Sequence, residues 1–275
     1  MRSHSSSVRR ARAALLCLCL SACTSRAPVL PTGTPVPFPD YRQAWSDATR
    51  ECAGVHTLTA SLALSGKVGR MKMRGRIDAG FAEPSSVRLE GVAPFGRPVF
   101  VLVATGERGT LVLTRDNRVL RDAPPRGIVN ALVGVPFDAA DLRSLVAGCG
   151  LPQTSPPESA GRYPDGWVMV QFPGGSTYLQ QVDGRWQIVA AAEPHITVHY
   201  ERDRDGRPSA IRVTVSRDDE IDSSALVADL TLRPSEVDVN VTLDPKTFTV
   251  EIPPGAEPIA LAELRRAGPL GGQGK

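Results

Sequence analysis

From residue 57 to residue 252 the chain changes character at almost every second position, and that period of two limits it to extended structure. Met71, Met73, Gly75, Ile77, Ala79 and Phe81 alternate with Arg70, Lys72, Arg74, Arg76 and Asp78. Leu58, Ala60, Leu62 and Leu64 alternate with Thr57, Thr59, Ser61 and Ser65. Successive side chains of a strand point to opposite faces, so each run has one dry and one wet side. Buried parallel strands read instead as continuous apolar runs, so the alternation predicts an antiparallel sheet. Further strands are expected at 87–92, 98–104, 110–115, 118–121, 166–172, 177–182, 185–191, 195–202, 209–217, 225–233, 236–243 and 247–252. Asp183-Gly184 and Asp205-Gly206 mark tight hairpin turns.

The period lengthens to that of a helix in a few places. Asp40 stands where an N-cap would, and Tyr41, Trp45, Ala48 and Cys52 follow at helical spacing until Gly54. A second helix over 125–133 presents Ile128, Val129, Leu132 and Val133. Asp138 caps a third, with Asp141 in its first turn and Leu142, Leu145, Val146 and Cys149 as its apolar stripe; Gly148 and Gly150 stop it. A last helical turn is expected over 259–266. With no internal repeat and no interior linker, the chain reads as one mainly β (α+β) domain, long enough to bury a substantial core.

The N-terminus has a different logic. Arg2, Arg9, Arg10 and Arg12 precede a short apolar stretch over 13–20, far below the roughly 20 residues needed to span a bilayer, so an export signal is the better reading. It ends in Leu20-Ser21-Ala22-Cys23, which resembles the lipobox of bacterial lipoproteins; an ordinary secretory signal is the alternative. The resemblance implies cleavage after residue 22 and lipid on Cys23. Three acyl chains would anchor the protein essentially permanently, whereas one chain is marginal at about 0.8 kcal/mol per buried methylene. Enteric lipoproteins retained at the inner membrane carry Asp after the lipidated Cys; Thr24 stands there in this chain, which implies the outer membrane with the domain facing the periplasm. Cleavage removes four of the 32 basic residues and none of the 29 acids, so a net +3 becomes −1 (28 against 29). The basic balance therefore belongs to the signal and is no argument for nucleic-acid binding.

Residues 27–39 hold five prolines in thirteen positions, either an extended tether of roughly 40 Å or a disordered leader. The expected layout is a signal at 1–22, a lipidated, proline-rich tether at 23–39, the folded domain at 40–267 and a disordered tail at 268–275. Of the five cysteines, Cys17 and Cys19 leave with the signal and Cys23 takes lipid. Cys52 and Cys149 remain, on the apolar faces of their helices: a disulfide in an oxidising compartment, or two buried thiols.

Residues able to carry chemistry are few. His195 and His199 lie in one strand, about 13 Å apart at ~3.3 Å per residue, too far to share a metal. Asp203-Arg204-Asp205-Gly206 lacks the later Glu of a calcium loop and reads as a turn. There is no nucleophile elbow, phosphate loop or CxxC. The expectation is a non-enzyme without cofactor or metal.

The order of lipobox, leading helix, strands, two short helices and more strands resembles the LolA/LolB family of lipoprotein carriers and acceptors. Arg88-Leu89-Glu90-Gly91-Val92-Ala93-Pro94-Phe95-Gly96 resembles that family's strand and turn with a Pro-hydrophobe-Gly tip. Val133-Gly134-Val135-Pro136-Phe137, with Leu142 and Leu145 beyond, resembles the LolB link into its second helix. Ile252-Pro253-Pro254-Gly255 departs from LolB and resembles uncharacterised LolB-like lipoproteins. The resemblance spans about residues 41–250. It implies a curved antiparallel half-barrel of about 11 strands, with helices plugging the open side, whose apolar hollow takes acyl chains. Leu62, Leu64, Met71, Met73, Ile77, Leu89, Val101, Leu111 and Leu113 would line that hollow, and Ile128, Leu132, Leu142 and Leu145 would form its lid; the same residues would equally fill a solid core. Phe95 would be a tip that enters the membrane, or would fold back over the barrel edge. The implied partners are lipoprotein acyl chains or another lipid, the membrane, and a periplasmic carrier of LolA type, with the protein acting as a monomer. A different lipid ligand, or an envelope assembly role, is the rival reading.

Overall fold

The computed structural model describes residues 29–92, 98–216 and 226–268. Two hairpin-linked series of strands make up most of it. After a short β1 (Val36–Pro37) that stands apart from it, the first is β2 (Thr57–Val68), β3 (Met71–Ala82), β4 (Ser86–Val92), β5 (Phe100–Thr105), β6 (Arg108–Leu113) and β7 (Arg118–Ala123). The second is β8 (Ser159–Arg162), β9 (Val168–Phe172), β10 (Gly175–Val182), β11 (Arg185–Glu193), β12 (Ile196–Arg202), β13 (Pro208–Ser216) and β14 (Leu226–Val239), with a short β15 (Glu257–Pro258) near the end. The helices are α1 (Tyr41–Ala53), α2 (Pro125–Val133), α3 (Ala139–Ala147) and α4 (Leu261–Ala267).

Among the described residues all fifteen strands join one sheet in the order β1-β8-β9-β10-β11-β12-β13-β14-β2-β3-β4-β5-β6-β7-β15. The ends β1 and β15 do not meet, so the sheet is open. Its pairs are antiparallel except β15 on β7. The two series are welded by β14 against β2, which runs from Val239↔Leu58 to Ala228↔Val68. Pairing carries the inner face across the first series in rows: Ala60, Ala79, Leu89, Leu102, Leu111 and Leu120 lie side by side. Inner-face side chains from β2–β6 and from β9–β14 belong to one apolar cluster. A flat sheet of this width could not bring them together, so the sheet is curled around its core.

The resemblance implies about 11 strands and the period-two runs number fourteen; the sheet has fifteen, because two runs are lost and three short strands are added. The runs 225–233 and 236–243 merge into the single long β14, with a bulge between Ser235 and Asp238 where Glu236 takes a positive φ. The expected strand over 247–252 is absent. Pro245–Phe248 is a 3-10 turn, with the Asp244 carboxylate accepting from the Lys246 N–H. The short strands β1, β8 and β15 have too few residues to show a period. Part of the proline-rich stretch also belongs to the domain: Val36–Pro37 pairs with β8, Phe38 packs on the core under the Arg162 guanidinium, and Leu30 packs on a smaller cluster around Tyr163, Trp167 and Tyr178. Apolar side chains close to a hydrophobic surface gain more by docking than by spacing the domain from a membrane.

The helices lie inside the curl. α1 packs on β9, β10 and β11, where Trp45 meets Phe172 edge-on at 5.0 Å between ring centres. α2 packs on β6 and on α4, and α3 lies against β3, β4 and β13. α3 starts with a reciprocal capping box, the Asp138 carboxylate accepting from Ala140 and Asp141 N–H while Asp141 accepts from the Asp138 N–H. Its far end is held three ways. The Tyr200 hydroxyl donates to the Leu145 carbonyl and accepts from the Gly150 N–H, and Arg202 donates to the carbonyls of Gly148, Ile188 and Gly206. The third tie is a disulfide from Cys52 at the end of α1 to Cys149, with 5.4 Å between Cα atoms. Burial raises the Tyr200 phenol well above its ordinary range, which keeps it a neutral donor, and burial lowers the Arg202 guanidinium.

Candidate functional site: a lidded apolar cavity

The interior of the curl is filled differently on its two sides. Beneath Trp45 of α1 it is packed, with Phe172, Leu179 and Ile188 each 0–1 % exposed, and a second, more polar pocket of about 450 Å³ runs along the end of α1 beside Asp47, Glu51 and Arg202. Under α2 and α3, against β2–β5 and β13–β14, the curl encloses a cavity of about 710 Å³. That is within the roughly 300–1,000 Å³ typical of small-molecule sites.

The cavity has a floor, walls, a lid and a mouth. Phe81, fully buried, closes the deep end. Leu62, Leu64, Met73, Ile77 and Leu89 form one wall, and Val213, Leu230 and Leu232 another. The lid is contributed by Val129, Leu132 and Val133 of α2, the linker residues Val135 and Phe137, and Leu142, Leu145 and Val146 of α3. The exposed lining residues Arg74, Gly75, Arg76 and Arg115 mark the mouth. Two glycines shape the interior. A Cβ on Gly91 would fall 2.4 Å from the Phe100 ring, so only glycine lets that ring lie flat across the sheet. A Cβ on Gly75 would meet nothing within 4 Å, because the cavity lies in front of it.

Of the thirteen hydrophobic residues expected around the hollow, Leu62, Leu64, Met73, Ile77, Leu89, Leu132, Leu142 and Leu145 line the cavity. Five lie elsewhere. Met71 is half-buried at the end of the β2–β3 hairpin. Leu111, Leu113 and Ile128 are buried in the packed core, because α2 sits directly on β6 there. The Ile128 Cδ1 occupies the gap left by Gly109, 3.0 Å from where a Cβ would be. Val101 faces the opposite side of the sheet, between Glu90 and Val112, where the turn Pro245–Phe248 covers β4 and β5. β5 is buried on both faces, so its continuous apolar run carries no phase, and pairing of Leu89 with Leu102 sets the phase instead. Cys23 and Phe95 lie outside the described residues, although Val92 and Val99, either side of the segment holding Phe95, line the cavity.

The site offers binding surface and little else. Three arginines are the charged groups among the described lining residues, and no carboxylate joins them. Below the lid's outer edge, Asp141 is raised above its ordinary value, chiefly by burial, although the Asp138 N–H and Arg126 favour its charge. The described residues include no group of three or more His, Cys, Asp or Glu placed to hold a metal ion, and none of their helices is long and apolar enough to cross a membrane. His199 sits on the outer face of β12 opposite Arg212, away from the cavity.

An open, curled antiparallel sheet with an apolar cavity under a two-helix lid is the class of protein these features define. Its architecture is similar to that of a LolA superfamily protein from Nitrosomonas europaea, at 12 % identity over 79 % of this chain and 99 % of that one, with a TM-score of 0.49. It is also similar to a DUF1329 family protein from Desulfovibrio piger ATCC 29098 (9 %, 76 % and 96 %, TM-score 0.45) and to the Mycobacterium tuberculosis lipoprotein LppX (13 %, 75 % and 99 %, TM-score 0.31). No family model and no curated protein matches the sequence. The likeness is one of general shape, and what the protein does has to be read from the cavity.

Proposed function

We propose that this protein is a lipid-anchored component of the bacterial outer membrane whose half-barrel binds acyl chains, without covalent chemistry, and passes them to the bilayer. The cavity carries this reading: a hollow of about 710 Å³ walled by leucine, valine, methionine and phenylalanine excludes polar ligands but accepts hydrocarbon. Lipid on Cys23 would keep that hollow at high local concentration beside the membrane. The cargo would be the acyl groups of lipoproteins handed over by a soluble periplasmic carrier, with direction set by relative affinity. Phe95, between Pro94 and Gly96, would be the residue that enters the bilayer. Depleting the protein and fractionating the envelope tests this: other lipoproteins should accumulate away from the outer membrane, and their unchanged distribution would refute the lipoprotein cargo. Phe95→Glu should fold normally and lose delivery; delivery at the parental rate would remove Phe95 from the mechanism. A second reading, the same fold taking a different lipid, is favoured by the arginines at the mouth.

A further inference from the structure

The mouth of the cavity is not neutral. Arg74, Arg76 and Arg115 border it and no described carboxylate does. Arg76 shares the exposed Asp78 at 3.6 Å, whereas Arg74 and Arg115 have no ion-pair or hydrogen-bond partner among the described residues. Arg74 also borders a neighbouring groove with Lys67 and Lys72, which face one another across the β2–β3 hairpin. The acids of that groove are engaged: Asp229 accepts both nitrogens of Arg212 at 2.8 and 2.9 Å, and Glu201 faces Arg233.

Like charges set directly across a hairpin destabilise it slightly, and no described carboxylate pairs with Lys67 or Lys72. For packing alone, a mouth of serine or threonine would serve as well. We infer that the cavity takes an amphiphile with a phosphate group at the root of its acyl chains, the chains lying under α2 and α3 and the phosphate at the mouth that Arg74, Arg76 and Arg115 border. The planar guanidinium offers parallel donors to phosphate oxygens, so arginine holds such a group in a fixed orientation better than a point charge does. This inference rests on the second reading above, in which the cavity takes the chains of a lipid other than a lipoprotein, and it names the headgroup that lipid carries. The acylated cysteine of a lipoprotein has no phosphate and would gain nothing from the rim.

The test is native mass spectrometry of the mature full chain released from non-ionic maltoside micelles, with an equimolar mixture of a monoacylglycerol and the same monoacylglycerol bearing a phosphate. The phosphate form should dominate the adducts by about tenfold, an advantage of the size expected from two partly exposed arginines. It should fall to near parity in the double variant Arg74→Gln, Arg115→Gln, which retains the neutral adduct. Because both arginines are exposed and have no partner among the described residues, the variant should melt with the parent, and thermal unfolding followed by circular dichroism checks that. Equal adducts in the parent would overturn the phosphate inference and leave chain binding intact; no adduct of either ligand would overturn chain binding itself. Inorganic phosphate alone, at millimolar concentration, should not erase the preference. Erasure would make the rim a site for free anions and overturn the lipid assignment.

Discussion

Gly75→Phe places a side chain where the structure has room for one and ligand would otherwise be. Gly75 lies on the inner face of β3 opposite Leu64, its backbone is not left-handed, and a Cβ there has no neighbour within 4 Å. Folding should therefore be unharmed. Glycine is among the poorer strand formers and phenylalanine among the better, on a scale spanning about 1 kcal/mol, so the variant should melt no lower than the parent. Ligand binding should suffer. If the ring displaces roughly four methylenes of a bound chain, at about 0.8 kcal/mol each, the loss is about 3 kcal/mol, or roughly a hundredfold in affinity. Titration with a fluorescent fatty acid, beside a thermal melt of the same sample, reads both quantities. Parental affinity in the well-folded variant would mean that chains do not bind in front of Gly75, and the assignment of the cavity would fall.

The remaining predictions concern how the lid is held and how the fold responds to pH. Arg202→Ala leaves three carbonyls short of a charged donor and should lower unfolding stability by about 3 kcal/mol in urea titration; a loss within error would show that water replaces the guanidinium. Tyr200→Phe, which orphans the Gly150 N–H and leaves the Leu145 carbonyl with the Gly148 N–H alone, should cost roughly 1–3 kcal/mol. Replacing Cys52 and Cys149 by alanine opens a loop spanning 97 residues and should cost about 2–4 kcal/mol, with an unchanged melt as the contrary result. His199 is lowered below its usual value, first by burial and then by Arg212. The unfolded chain therefore binds a proton there at a pH where the folded one does not, and stability should fall as pH drops below about 6.5. His199→Gln should flatten that slope in melts across pH 7 to 5; an unchanged slope would place the titration elsewhere.

How much of this was legible from the residues depends on what each part of the fold writes into local sequence. The β2–β3 hairpin is readable because one face is wet: Lys72, Arg74 and Arg76 mark outward positions, and Met73, Gly75 and Ile77 the inward ones. Asp138 with Asp141 and the left-handed glycines at 134 and 148 likewise delimit α2 and α3. β5 is unreadable in phase because both of its faces are covered, which is why Val101, expected in the hollow, lies on the other face. Val213, Leu230 and Leu232 alternate as strand residues should. Their place in the cavity wall depends on β14 pairing with β2, residues some 170 apart, which no local pattern records. The apolar positions of α2 look alike in sequence, yet Ile128 is sunk into the gap at Gly109 while Leu132 faces the hollow. That difference is set by helix placement on the sheet and not by residue type.

The central claim is that the space beneath α2 and α3 holds acyl chains, and native mass spectrometry of the protein as purified from the cell tests it most directly. The account predicts an adduct with the mass of an acyl lipid, in about one copy per chain, that is lost in Gly75→Phe. A protein that carries no lipid, and takes up none when offered it, would contradict the claim.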